Sequence, residues 1–169
     1  MNVLEWWIVA FGFGAMLQDL LRSRISNRYL ITGWLAGATA AFLSPSPEGI
    51  LRFMGGALLP IVLLFLLFRF RMIGAGDIKL LSALGGMVGI QASLWLLVSS
   101  FLIGGLLAVG ILTVNRSWFR RFRFFYRYVQ NYRTTGIRIP YRPEKHGGEH
   151  LHFAVPVFAA LLLWKGGVF

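Results

Sequence analysis

Only two aspartates occur in the 169-residue chain, Asp19 and Asp77, and each lies where a long apolar run meets a basic cluster. A carboxylate at membrane depth is costly to keep and points to function by default. Two carboxylates brought close together cannot both ionise readily, so they share a proton. One then serves as base toward a water molecule and the other as acid toward a carbonyl, as an aspartic peptidase requires. Simpler roles are open to each residue alone. Asp77 precedes an apolar stretch and could cap a helix N-terminus. Asp19 falls at a helix C-terminus, where the dipole disfavours an anion, and could pair with Arg22 one turn on. Lys79 could tune Asp77 or simply extend its ammonium to the interface.

The elements that must position these residues are apolar. The chain is 57% hydrophobic and 15% aromatic with only 14% charged residues, against about a quarter charged in soluble domains. Its mean hydropathy is +0.67. These values exclude a soluble enzyme, a disordered tail and a nucleic-acid domain, and imply one integral-membrane domain over 1–169. Six spans are expected, at Val3–Leu21, Tyr29–Leu43, Ile50–Phe68, Asp77–Gly89, Ala92–Val114 and Leu151–Val168. From Leu80 to Asn115 no charged residue occurs. That run is too long for one crossing of ~20 residues, and the break is placed at Gly89–Ser93. The fold class is therefore all-α, a bundle of about six transmembrane helices with a basic cytoplasmic loop.

Seventeen Lys and Arg against six acids give a net charge of +11. Arg22, Arg24 and Arg28 follow the first span, Arg69, Arg71 and Lys79 flank the join of the third and fourth, and more basic residues lie between Arg116 and Lys145. With six crossings all of these share one side, leaving Arg52 and Lys165 opposite. The positive-inside rule makes the basic side cytoplasmic, with both termini outside and both aspartates at the cytoplasmic end. Trp6, Trp7, Trp95 and Trp164 then form an outer aromatic belt. Glycine pairs such as Gly33 and Gly37, or Gly85 and Gly89, read as close helix contacts, and Pro60 as a kink.

Gly74-Ala75-Gly76-Asp77-Ile78-Lys79 matches the GxGD signature of intramembrane aspartyl proteases, and its Lys79 makes it similar to type IV prepilin peptidases. The stretch from Asp19 to Asn27 resembles that family's other motif, an Asp followed by Ile-Pro-Asn, with Ser26 in place of the proline. That exchange implies a less rigid turn. Leu151–Pro156 is a looser likeness to the segment opening the family's last span. Gly74 and Gly76 remove side chains ahead of Asp77, letting a substrate backbone approach and making unusual dihedrals inexpensive. The resemblance implies a catalytic pair Asp19 and Asp77 supported by Gly74, Gly76, Lys79 and Asn27, with no metal and no cofactor. The implied substrate is a prepilin or pseudopilin precursor, a membrane-inserted helix whose leader is cut at the cytoplasmic face of the inner membrane. Larger members carry a cysteine-bearing N-terminal domain linked to methylation of the product. This chain begins at a span and has no cysteine, so it looks like the short, peptidase-only form of tight-adherence pilus systems and archaea.

Competing chemistry is weaker. His146-Gly147-Gly148-Glu149-His150 fits the HxxEH pattern of inverted zinc peptidases, with His152 as a third ligand, but two adjacent glycines oppose the helix that pattern needs. The presenilin-like branch of GxGD enzymes has Tyr before the first aspartate, where this chain has Gln18. A non-enzymatic channel, transporter subunit or scaffold would also use intramembrane carboxylates. Within the basic loop at 115–150, Trp118, Phe122, Phe125, Val129 and Tyr132 recur at helical spacing, with Arg116, Arg120, Arg123 and Arg127 on the opposite face. This predicts an amphipathic helix lying on anionic membrane lipids rather than a nucleic-acid site. An oligomer is compatible with the sequence.

Overall fold

The structure, a computed structural model, describes residues 3–44, 48–70, 72–114 and 152–168. All regular structure among them is helical: α1 (Val3–Arg22), α2 (Asn27–Phe42), α3 (Glu48–Arg69), α4 (Ala75–Val88), α5 (Ile90–Val114) and α6 (Ala154–Lys165). The basic loop with its expected amphipathic helix, and the His146–His150 segment, lie outside the described residues. Stretches within α1, α3 and α5 (Leu4–Arg22, Glu48–Arg69 and Ile90–Ile111) are long and apolar enough to cross a membrane. The chain is an all-α, multi-pass membrane protein. The outward face of α3 carries Val62, Leu63, Phe65 and Leu66 more than half exposed, a patch that water would penalise and lipid would not.

The chain divides into two compact units, Met1–Gly104 with His152–Phe169, and Gly105–Leu151. Of the second, the C-terminal end of α5 is described. In the first, α4 is the central helix. It packs against α1, α2, α3 and α6, and Leu80 through Gly86 are buried without interruption. A helix apolar on every side belongs inside a bundle.

Small residues make that position accessible. A Cβ at Gly56 of α3 would collide with the Gly85 carbonyl of α4, and one at Gly85 would collide with the Gly56 carbonyl. The two backbones touch, as small-residue interfaces allow. Two buried hydroxyls fasten the same crossing. Ser82 Oγ donates to the Ala57 carbonyl at 2.6 Å, and Ser93 Oγ donates to the Gly56 carbonyl at 2.9 Å. Such bonds hold well where no water competes. Gly33 lies against the Phe11 ring and Gly37 against Phe53 in the same manner.

Gly89 packs as expected, its backbone lying 2.9 Å from where a Cβ at Gly56 would stand, and it has a second role. Its φ of 90° is a conformation that side-chain-bearing residues rarely adopt, and it alone joins α4 to α5. The expected break at Gly89–Ser93 therefore narrows to one residue, and Gln91 and Ser93 belong to α5. The last helix is also shorter than expected, 12 residues long. It stops where Gly166 caps it and Gly167 turns left-handed with φ 74°.

Gly56→Ala is expected to cost about 1–3 kcal/mol through overpacking, read as a lower melting temperature in detergent. Gly76→Ala, whose Cβ would meet nothing within 4 Å among the described residues, is expected to leave melting unchanged or slightly raised.

Candidate active site

Asp19 stands in the last turn of α1, which ends at Arg22. Its carbonyl accepts the Ser23 N–H at 2.7 Å, and Ser23 adopts φ 48°, reversing the chain. Ser26, the N-cap of α2, has φ −65° and ψ 131°. That φ is the one a proline ring imposes, so serine keeps the geometry of the residue it replaces. Its N–H, which proline would lack, donates to Gln18 Oε1 at 3.1 Å. The turn expected to be less rigid is thus tied by a hydrogen bond. Nothing in the spacing of Gln18 and Ser26 announced that bond; only the departure from Ile-Pro-Asn hinted that something else must hold the turn.

Asp77 is the third residue of α4 and is not its cap. The N-cap is Gly74, with φ −77° and ψ 146°. From the third position the Asp77 carboxylate accepts the backbone N–H of Gly74, the returning half of a capping box. The dihedrals of Gly74 suit any residue, so conformational freedom is not its contribution. Its contribution is space: a Cβ there would lie 3.0 Å from Asp77 Oδ2. Gly76 opens onto unfilled space among the described residues. On the α3 side, a cleft of about 480 Å³ is lined by Phe68, Arg69, Met72, Ile73 and Gly74.

Far apart in sequence, the two aspartates come into electrostatic range of one another, the Asp19 charge being one of those felt at Asp77. Both are partly buried. The supporting residues also meet: Lys79 Nζ donates to Asn27 Oδ1 at 3.1 Å. Lys79 therefore ties the second turn of α4 to the first residue of α2 through an exposed contact. Among the described residues the group facing the Asp19 carboxylate is His152 and not Arg22, with Nδ1 3.5 Å from Oδ2, an ion pair when the imidazole is protonated. Sequence reasoning reads His152 as an interfacial or loop residue, with a third metal ligand as the weaker alternative; its position at the opening of the last span is the available signal for a place near Asp19. No group of three or more His, Asp or Glu side chains that could hold a metal ion occurs among the described residues.

Residues 6–109 match the model of the type IV leader peptidase family. The chain belongs to that family. The matched region is more than half of the chain and contains Asp19, Asn27, Gly74, Gly76, Asp77 and Lys79. The chain matches no curated protein and no solved structure. Membership in the leader peptidase family supports a peptidase with a role toward prepilin-type substrates, held in a multi-pass membrane protein.

The Lys79–Asn27 tie predicts a measurable coupling. In thermal unfolding, Asn27→Ala and Lys79→Met are each expected to cost about 1 kcal/mol. The double variant is expected to cost little more than either single one. Fully additive losses would contradict the tie.

Proposed function

We propose that the chain is an intramembrane aspartyl endopeptidase that removes the leader of type IV prepilin-like precursors at the cytoplasmic membrane face. The observation that supports this reading is that Asp19 lies within electrostatic range of Asp77, with glycine on the approach to Asp77. Family membership supplies the substrate class.

In the proposed reaction the ionised member of the pair takes a proton from water, and the water oxygen attacks the scissile carbonyl carbon. The protonated member gives its proton to the carbonyl oxygen, forming a neutral gem-diol. Collapse returns one hydroxyl proton to the pair, the C–N bond breaks, and the leaving nitrogen takes a proton from the other carboxyl group. The pair regains its single shared proton, and no net charge builds up at membrane depth. Gly74 and Gly76 let the precursor backbone reach the carboxylates, and the neighbouring cleft takes apolar residues flanking the cut.

Water must reach this point. The 14 residues of α4 rise only about 21 Å, against a hydrocarbon core of ~30 Å. The start of α4 then lies in a recess below the interface, open to cytoplasmic water. The basic residues Arg22, Arg24, Arg28 and Arg69 at this end support the cytoplasmic assignment through the positive-inside rule, which sets both termini outside if all six helices cross. The chain has no cysteine and is proposed to cleave without methylating the new N-terminus. Anionic lipids are the proposed neighbours of the basic loop, and the whole chain is taken as one peptidase domain.

In liposomes holding a type IV prepilin, Asp19→Asn and Asp77→Asn are each expected to abolish cleavage while the protein inserts and melts as the parent does. Full cleavage by either variant would overturn the pair. Abolition by EDTA with restoration by zinc would point to metal chemistry instead. Mass spectrometry of the product formed with S-adenosylmethionine present is expected to show no 14 Da addition.

A further inference from the structure

The C-terminal region holding His152 lies beyond the matched residues 6–109, yet it reaches the pair. Asp19 sits at the C-terminal end of α1, where the helix dipole disfavours an anion, so its carboxylate needs a donor. His152 faces it at 3.5 Å, with the two side chains 23% and 14% exposed. At 3.5 Å the contact is a long donor–acceptor approach, and it becomes an ion pair when the imidazole is protonated.

The backbone of His152 is fixed. Its carbonyl accepts the Val155 N–H at 3.0 Å, within the first turn of α6. The neighbouring Phe153 ring packs edge-on against Phe101 at 5.2 Å, and Ala154, Pro156 and Val157 are buried behind it. Pro156 interrupts nothing there, because first-turn N–H groups have no intrahelical partner.

A second tie sets the register of the same two helices. At the far end Lys165 donates to the Glu5 carboxylate and lies 5.3 Å from the centre of the Trp6 ring. Between the ties, α1 rises about 21 Å from Glu5 to Asp19, and the chain from His152 to Lys165 rises about 20 Å. Antiparallel helices with matched rises satisfy both contacts at once. The Glu5–Lys165 pair therefore holds His152 level with Asp19. Other charged groups at this end of the bundle are Arg22 on α1, Arg24 in the turn that follows it, Arg28 on α2, Arg69 on α3, and Asp77 and Lys79 on α4, while α5 carries none.

We propose that His152 is a positioning residue, which holds the Asp19 carboxylate in the orientation that hydrolysis requires. The inference rests on the aspartyl reading above. A carboxylate free to rotate would spend little time aligned with the attacking water, and misplacement by about 1 Å costs on the order of 10²-fold in rate. The loss falls on turnover and not on substrate affinity, because His152 touches neither the cleft nor the approach lined by glycine.

The test uses the full chain in liposomes with a type IV prepilin, measuring kcat and KM separately. His152→Phe keeps a ring but no donor and is expected to lower kcat about 100-fold with KM within 2-fold. His152→Asn places an amide N–H near the Nδ1 position and is expected to restore kcat to within about 10-fold of the parent. Melting temperatures of the two variants are expected to agree, which a purely structural role would not separate from activity. Should the Phe variant fail to fold, His152→Leu takes its place with the same expectation. Parent-like kcat in the apolar variant, or equal loss in the apolar and Asn variants, would overturn the proposal. Asp19→Asn distinguishes the two layers: if it cleaves, the aspartyl reading itself fails, whereas an inactive Asp19→Asn beside an unaffected His152→Phe rejects the positioning role alone.

Discussion

Seven consecutive residues of α4, Leu80 to Gly86, are shut away from the surroundings, and a helix is enclosed on all sides only when its neighbours come very close. Without a hydrophobic drive between helices in lipid, that closeness depends on small residues and on hydrogen bonds between backbones and hydroxyls. Gly56 against Gly85 gives the contact, and Ser82 and Ser93 bond across it. Because α4 is central, its first two turns lie within reach of α1, α2 and α3, and both the Lys79–Asn27 bond and the electrostatic reach of Asp77 to Asp19 follow from that placement.

Apart from the buried hydroxyls of Ser82 and Ser93, these polar ties sit at helix ends, where they are least costly. Lys79 to Asn27, Ser26 to Gln18 and His152 to Asp19 all lie at the end that holds the aspartates. Glu5 and Lys165 hold the opposite end. Between them the core consists of residues such as Ile8, Leu81, Leu84, Leu96 and Leu161. This division gives the bundle a rigid apolar middle and a polar rim whose groups are oriented by neighbours, as a hydrolytic site needs.

Much of this was legible in the sequence. Long apolar runs located the six described helices, since their lengths and sparse charge leave few alternatives, and the two aspartates stood out as the chain's only ones, each where such a run meets a basic cluster. What escaped was local. Gly89 packs against Gly56 like its neighbour Gly85 but also adopts a positive φ, a second role that spacing does not reveal. The early end of α6 depends on Gly166 and Gly167, placed in a sequence that stays apolar to Val168. Ser26 suggested a looser turn, whereas Gln18, one residue before Asp19, closes it. Side-chain partners such as His152 for Asp19 join residues at opposite ends of the chain, and no periodicity encodes them.

The central claim is that Asp19 and Asp77 face one another at one end of the bundle. Because the native chain lacks cysteine, paired substitutions introduce the only two thiols. In membranes, Asp19→Cys with Asp77→Cys treated with a short bifunctional thiol reagent is expected to cross-link within one chain as efficiently as Glu5→Cys with Lys165→Cys. Glu5→Cys with Asp77→Cys is expected to remain uncrosslinked. Efficient linkage of the Glu5 and Lys165 positions, with none between positions 19 and 77, would contradict the account.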